Sequence, residues 1–175
     1  MNFLDLAKKR YTVRAYKKQQ VEREKLDTIL EAGRVAPTGA NKQPQHLIVV
    51  QSEEGQNKIG KAANIYGAPL AIIVCSNIKE TWVRPFDKKK LTDIDASIVT
   101  DHMMLAATDL GLGSVWICYF KPDVIKTEFN LPCNLEPINI LVIGYADTEI
   151  ETAQTACRHS TKRKELSATV SFEEI

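Results

Sequence analysis

A chain of 175 residues, 44% hydrophobic and 26% charged, is long enough to bury one sizeable core and falls in the ordinary globular range. Its net charge of +1, with both signs interspersed, argues against a nucleic-acid scaffold or a membrane-surface binder, so any anion recognition has to be local. No run reaches the roughly 18 apolar residues of a membrane span, the N-terminus lacks the apolar core of a signal peptide, and Cys75, Cys118, Cys133 and Cys157 form no C-x-x-C pair, which points to a reducing cytoplasm.

Asn2 predicts the cap of a first helix that runs through Leu4, Leu6 and Ala7 and stops near Arg10. After a loop over 11–16, Leu26, Ile29, Leu30 and Gly33 share one face of a second helix that must end at Ala36. Turn formers fill 37–44 and lead into a short apolar strand over 47–50. Ser52 is placed to cap a third helix over 53–63, and Pro69 opens a strand over 70–75 that is apolar throughout, hence buried on both faces.

The basic segment 77–90, with Trp82, Arg84 and Lys88-Lys89-Lys90, reads as an irregular stretch, either a mobile lid or a solvated surface loop. Residues 92–110 carry the strongest helical signal. Their apolar positions cover more than one face before Gly111 stops the helix, so it should be the central buried one. A strand over 114–118, a short helix after Pro122 and a strand over 138–144 complete the predicted core. From Asp147 onward the chain turns polar apart from a strand-like piece at 169–172, and so poor a tail needs a neighbour to lie on.

Three segments have the composition of a ligand site. Arg10-Tyr11-Thr12-Val13-Arg14 sets two guanidinium groups and a hydroxyl at a helix-to-loop junction, which suits a phosphate, although solvated arginines would read the same way. In 37–44, Thr38, Gly39, Asn41 and Gln43 offer hydroxyl, amide and close backbone approach, as the polar edge of a cofactor requires and as a plain loop would also do. From Ala106 to Ile117 a helix runs through Gly111 and Gly113 into a strand, the reverse of the dinucleotide-binding order of strand, glycines and helix. His46, His102 and His159 are scattered without ligand spacing, which argues against a metal site, and Cys133 has no evident base beside it.

Taken in order, Arg10-Tyr11-Thr12-Val13-Arg14, the run from Ala36 to Pro44, Asp95-Ala96, Leu110-Gly111-Leu112-Gly113 and Ile143-Gly144-Tyr145 resemble the FMN-dependent nitroreductase family, from residue 2 to about 166. The resemblance implies an α+β fold, a three-layer α/β/α sandwich that forms a homodimer through the long helix. A single domain would span 1–166, and the tail 167–175 would cross to the partner. FMN would lie in each of two clefts at the subunit boundary. Arg10, Tyr11, Thr12 and Arg14 would come from one subunit, with Arg10 on the phosphate and Arg14 nearer the pyrimidine edge, and Pro37, Thr38, Gly39 and Asn41 from the other.

By the same resemblance Asn64 approximates a ring contact, Trp116, Ile117 and Cys118 lie at the central ring, with the Cys118 N–H directed at N5, and Arg163 is the second phosphate contact. The family often has Gly where Cys118 stands, offers only an approximate match at Lys61 and Asn64, and in larger members carries a helical insertion absent here. The implied activity is hydride transfer from NADH or NADPH through FMN N5 to a small acceptor such as a nitroaromatic compound or a quinone, with no catalytic side chain. The alternatives are an FMN-binding carrier or regulatory protein without turnover, and a flavin enzyme with another acceptor.

Overall fold

The computed structural model describes residues 2–150, 159 and 162–174. In chain order the elements are α1 (Phe3–Lys9), α2 (Arg23–Arg34), β1 (Gln45–Val50), α3 (Glu53–Gly60), β2 (Leu70–Asn77), α4 (Thr92–Asp109), β3 (Gly113–Ile117), α5 (Pro122–Glu128) and β4 (Leu135–Gly144). Short 3-10 turns occur at Gly39–Asn41 and Leu166–Ala168.

Local chemistry sets several of these boundaries. Asn2 Oδ1 accepts the Asp5 amide at 2.9 Å and Ser52 Oγ accepts the Gly55 amide at 3.1 Å, each satisfying a donor that a helix start leaves open. At the other end of α4, Gly111 takes a φ of 78° while its amide donates to Thr108 O at 3.1 Å and that of Leu112 to Ala107 O at 2.9 Å. This paired pattern closes a helix on a left-handed residue, a conformation glycine adopts without a Cβ penalty.

The strands form one antiparallel sheet in the order β1-β2-β4-β3. Alternation along the central strands sends side chains to two separate cores. Ala71, Ile73, Ile140 and Val142 meet Ile59 of α3 and Ile125 of α5, whereas Leu70, Ile72, Leu141 and Ile143 meet Ile29 of α2 and Val99 and Met103 of α4. Each buried Ile or Leu contributes roughly 1.5–3 kcal/mol, so β2 and β4 are stable only with a helical layer on both sides. The result is the three-layer α/β/α sandwich. Gly33 allows the close approach of α2 to α4, since a Cβ there would stand 2.9 Å from Met103 Cγ.

An extended segment after α1 supplements the outer edge of the sheet. Thr12 bridges Ser114 in parallel, the Val13 amide donates to Ser114 O at 2.9 Å, and Tyr16 bridges Ala146. Val13 is fully buried in the core shared with α3 and α5.

Five expectations are corrected. β4 begins at Leu135 and not at 138, because Pro137 is accommodated opposite Cys75, where the β2–β4 register shifts, and a bulge is where a strand tolerates a residue without an N–H. α3 ends at Gly60 short of 63, and β3 ends at Ile117, leaving Cys118 beyond the strand. The 77–90 segment is not wholly irregular: Val83 bridges Lys90, the Arg84 amide donates to Lys89 O at 2.9 Å and the Leu91 amide to Trp82 O at 3.1 Å, giving a small hairpin. Finally, the 169–172 piece is not a strand. The Thr169 amide and hydroxyl both donate to Leu166 O, at 3.0 Å each, local bonds that favour a turn, and among the described residues the piece pairs with no strand.

Two measurements test this packing. A Cβ at Gly113 would stand 2.6 Å from Val13 Cγ2, so Gly113→Ala should cost about 1–3 kcal/mol through overpacking, read as a lower denaturation midpoint with an unchanged slope. Burial, with a smaller contribution from Glu136, pushes the Cys75 thiol up to about 12. Because the unfolded thiol titrates near 8.5, the stabilisation is complete below that pH and is lost as pH rises toward 12. A thiol reagent at pH 8 should therefore modify the exposed Cys118 and Cys133 in the native protein, and Cys75 only after unfolding.

Candidate functional site

The arginine segment owes its form to the end of α1. The Arg10 amide still bonds Leu6 O at 3.1 Å, but its φ and ψ of −63° and 128° are already extended, and the chain continues along β3. In extended backbone alternate residues share a side. Tyr11 and Val13 turn into the core, and Arg10, Thr12 and Arg14 therefore fall on the opposite side. The spacing of two arginines around Thr12, equivocal in the sequence, is the period of a strand.

Arg10 is half-buried, and its pKa lies below the ordinary arginine value, first because burial removes water and second because the positive charge of Arg163 is near, with Asp101 of α4 partly offsetting both. A guanidinium remains protonated under such perturbation. The tail thus returns from the far end of the chain to set a second guanidinium beside the first. His159 fastens this return, its Nε2–H donating to Arg10 O at 2.8 Å. Guanidinium forks near one another have the chemistry to match a dianion with charge-assisted bonds.

Arg14 is exposed, with its guanidinium carbon 5.9 Å from the centre of the Tyr66 ring. Tyr66 belongs to a turn closed by Asn64, whose Oδ1 accepts the Tyr66 amide at 2.8 Å. The structure therefore brings Asn64 to the neighbourhood of Arg14. Lys61, the other approximate match there, is instead paired with Glu128 at 2.8 Å.

At the end of β3 the side chains diverge. Ile117 belongs to the core facing α3 and α5, and Trp116 to the one facing α4, where its indole Nε1 is buried without a hydrogen-bond partner among the described residues. Trp116 and the exposed Cys118 line an open recess of about 390 Å³ together with Asp93 and Ser97 of α4 and with Asn139 of β4.

The 37–41 stretch lies elsewhere on α4. Pro37 and Asn41 are exposed, Thr38 and Gly39 half-buried. The Gly39 amide donates to Asp95 Oδ1 at 2.9 Å, and Thr38 Oγ1 accepts the Gln43 amide at 3.0 Å. Its anchor is thus the first turns of α4, whereas the residue of α4 near Arg10 is Asp101, six positions and about 9 Å further along the axis. One chain thus places Arg10, Arg163 and Asp101 in one group and this loop in another, with the β3 end lying by the same first turns of α4 that anchor the loop.

Three residues of this arrangement were given no role from the sequence. Asp95 entered only as part of a short matched pair, His159 as a scattered histidine, and Asp101 not at all. No helix among the described residues is long and apolar enough to cross a membrane.

The nitroreductase family model matches residues 7–67 and 60–145. A protein of Methanothermobacter thermautotrophicus, named as a candidate NADH dehydrogenase/NAD(P)H nitroreductase, is 32% identical over 158 residues, 83% of this chain and 78% of that one. A nitroreductase family protein from Clostridium difficile, solved by crystallography, superposes with a TM-score of 0.95 at 59% identity over the whole of both chains. A second structure from the same species, an FMN-dependent nitroreductase, gives a TM-score of 0.78 at 27% identity and covers 99% of this chain and 100% of its own. With its three-layer fold and with the family model spanning most of its length, the chain belongs to the nitroreductase family.

Proposed function

We propose that this protein is an NAD(P)H-dependent FMN oxidoreductase that works as a homodimer and reduces a small acceptor such as a nitroaromatic compound or a quinone. The observation that carries the reading is the meeting of Arg10 and Arg163 at the docked end of the extended segment. Repulsion between the half-buried Arg10 and the exposed Arg163 is relieved by one terminal phosphate. The family relatives named for FMN and NAD(P)H support the same assignment.

The residues present fit FMN. Arg10 and Arg163 would hold the phosphate, Thr12 would offer a hydroxyl beside them, and Arg14 would bring positive charge toward the ring. Asn64, Trp116 and Cys118 would complete the wall from the same subunit, with Tyr11 and Ile117, whose side chains turn into the core, contributing backbone. When bound, FMN would supply the redox chemistry that links NAD(P)H to the acceptor. The chain's own task is to bind and orient the cofactor, to place fixed positive charge where negative charge develops, and to limit water on one side of the ring.

A second copy completes this site. Phe3, Leu4 and Ile94 stand 71%, 59% and 42% exposed, and in the tail Leu166 and Phe172 are 76% and 90% exposed. Burying each of these side chains would contribute roughly 1.5–3 kcal/mol. A dimer formed through α4, with the tail beyond 166 laid on the partner, would cover them. It would also present Pro37, Thr38, Gly39 and Asn41 to the partner's FMN.

The purified protein should be yellow, release FMN rather than FAD on denaturation, and lose its flavin absorbance when NADH or NADPH is added without oxygen. Bleaching that fails with both nucleotides while FMN stays bound would favour the carrier alternative. Arg10→Ala should weaken FMN binding by about 1.5–3 kcal/mol, as expected for a charge-assisted contact, measured by fluorescence titration. Light scattering should give a dimer, and the unfolding temperature should rise with protein concentration; an FMN-bound monomer would contradict the completed site.

A further inference from the structure

The 37–41 loop is held in an unfavourable backbone. Ala40, Asn41 and Gln43 have φ values of 48°, 52° and 49°, the left-handed region that side chains other than glycine seldom adopt. Its own hydrogen bonds are short-range, from the Asn41 amide to Thr38 O at 3.0 Å and from the Lys42 amide to Gly39 O at 3.1 Å. The long-range anchor is the bond from the Gly39 amide to Asp95 Oδ1. The seat is tight, since a Cβ at Gly39 would stand 2.9 Å from Leu91 Cδ1 and 3.1 Å from Trp82 Cβ.

Asp95 is a costly anchor. It is 1% exposed, and its second oxygen, Oδ2, is buried with no hydrogen-bond partner among the described residues. A carboxylate in such a place loses much of its hydration for a single bond. No side-chain cap is seen at the N-terminus of α4 among the described residues, and of the two acidic residues in its first turn, Asp93 and Asp95, the exposed Asp93 places negative charge there without the cost of burial. Among the described residues, the bond to Gly39 is the hydrogen bond that this side chain makes outside its own helix.

We propose that Asp95 is a positioning residue for the flavin, fixing the 37–41 loop through the Gly39 amide in the strained form that faces the partner's cofactor. The role rests on the FMN reading above. Without the carboxylate oxygen the loop relaxes out of its left-handed conformations, and the wall it presents to the ribityl chain and ring is lost. The phosphate contacts of Arg10 and Arg163 belong to the other group of residues and stay intact.

The experiment compares wild type, Asp95→Ala, Asp95→Asn and Arg10→Ala as flavin-free dimers titrated with FMN and with riboflavin, which lacks the phosphate. Flavin fluorescence reports binding, and light scattering follows the dimer. Asp95→Ala should weaken both ligands by the same factor, on the order of tenfold for one lost hydrogen bond. Asp95→Asn, which keeps an acceptor at the same reach, should restore both to within about twofold. Arg10→Ala should weaken FMN alone.

Wild-type affinity in Asp95→Ala, an equal defect in Asp95→Asn, or a loss of FMN that only follows loss of the dimer would each overturn the proposal. Should Asp95→Ala not fold, Asp95→Glu takes its place, because the added methylene displaces the acceptor while the charge is retained, and the same criteria apply. A wild-type protein that binds neither ligand overturns the FMN reading and this role with it. Wild-type binding together with an unaffected Asp95→Ala overturns the role of Asp95 alone.

Discussion

The rest of the molecule depends on one constraint: β2 and β4 are apolar on both faces and lie side by side at the centre of the sheet. Such strands cannot face water on either side, so α3 and α5 cover one face while α2 and α4 cover the other. With the centre so occupied, β3 is left at an edge, its outer side open to pairing. The extended segment after α1 takes that place, and Arg10, Thr12 and Arg14 are carried with it. The position of the charged residues is therefore a consequence of hydrophobic burial elsewhere.

Charge within the chain follows a different logic from packing. Most ion pairs, such as Arg23 with Asp27 and Lys58 with Glu54, join neighbours on one helix surface and contribute little. Arg10 is unlike them, because its partial burial and the nearness of Arg163 work against its charge and Asp101 compensates only in part. A surface optimised for stability would separate these groups. Their retention at one place is intelligible as recognition of an anion, and the bond from His159 to the Arg10 carbonyl shows how the chain holds the arrangement.

Apolar side chains divide in the same way between uses. Those of the sheet and its helical layers are spent on the fold, whereas Phe3, Leu4, Ile94, Leu166 and Phe172 stay exposed on a single chain. Helix α4 connects the two uses: Val99 and Met103 face the sheet, Ile94 faces away, Asp101 lies by the arginine segment and Asp95 holds the Gly39 loop. One rigid helix thus fixes both groups of candidate cofactor residues relative to one another.

Residues whose neighbours lie close in sequence were legible from the sequence itself. Asn2, Ser52 and Gly111 act within a few positions of themselves, and the apolar runs of β2 and α4 announce burial by composition alone. The grouping of Arg10, Tyr11, Thr12, Val13 and Arg14 was likewise visible, but not its strand-like geometry, which depends on Ser114 accepting the Val13 amide across the fold. The extension of β4 through Pro137 required the bulge opposite Cys75, and the turn at Thr169 rests on its own bonds to Leu166 O. The electrostatic influence of Arg163 on Arg10, the bond of His159 to the same residue and that of Asp95 to Gly39 link positions far apart in the chain. Local pattern carries no information about such pairs, because chain folding alone decides which distant side chains share a desolvated place.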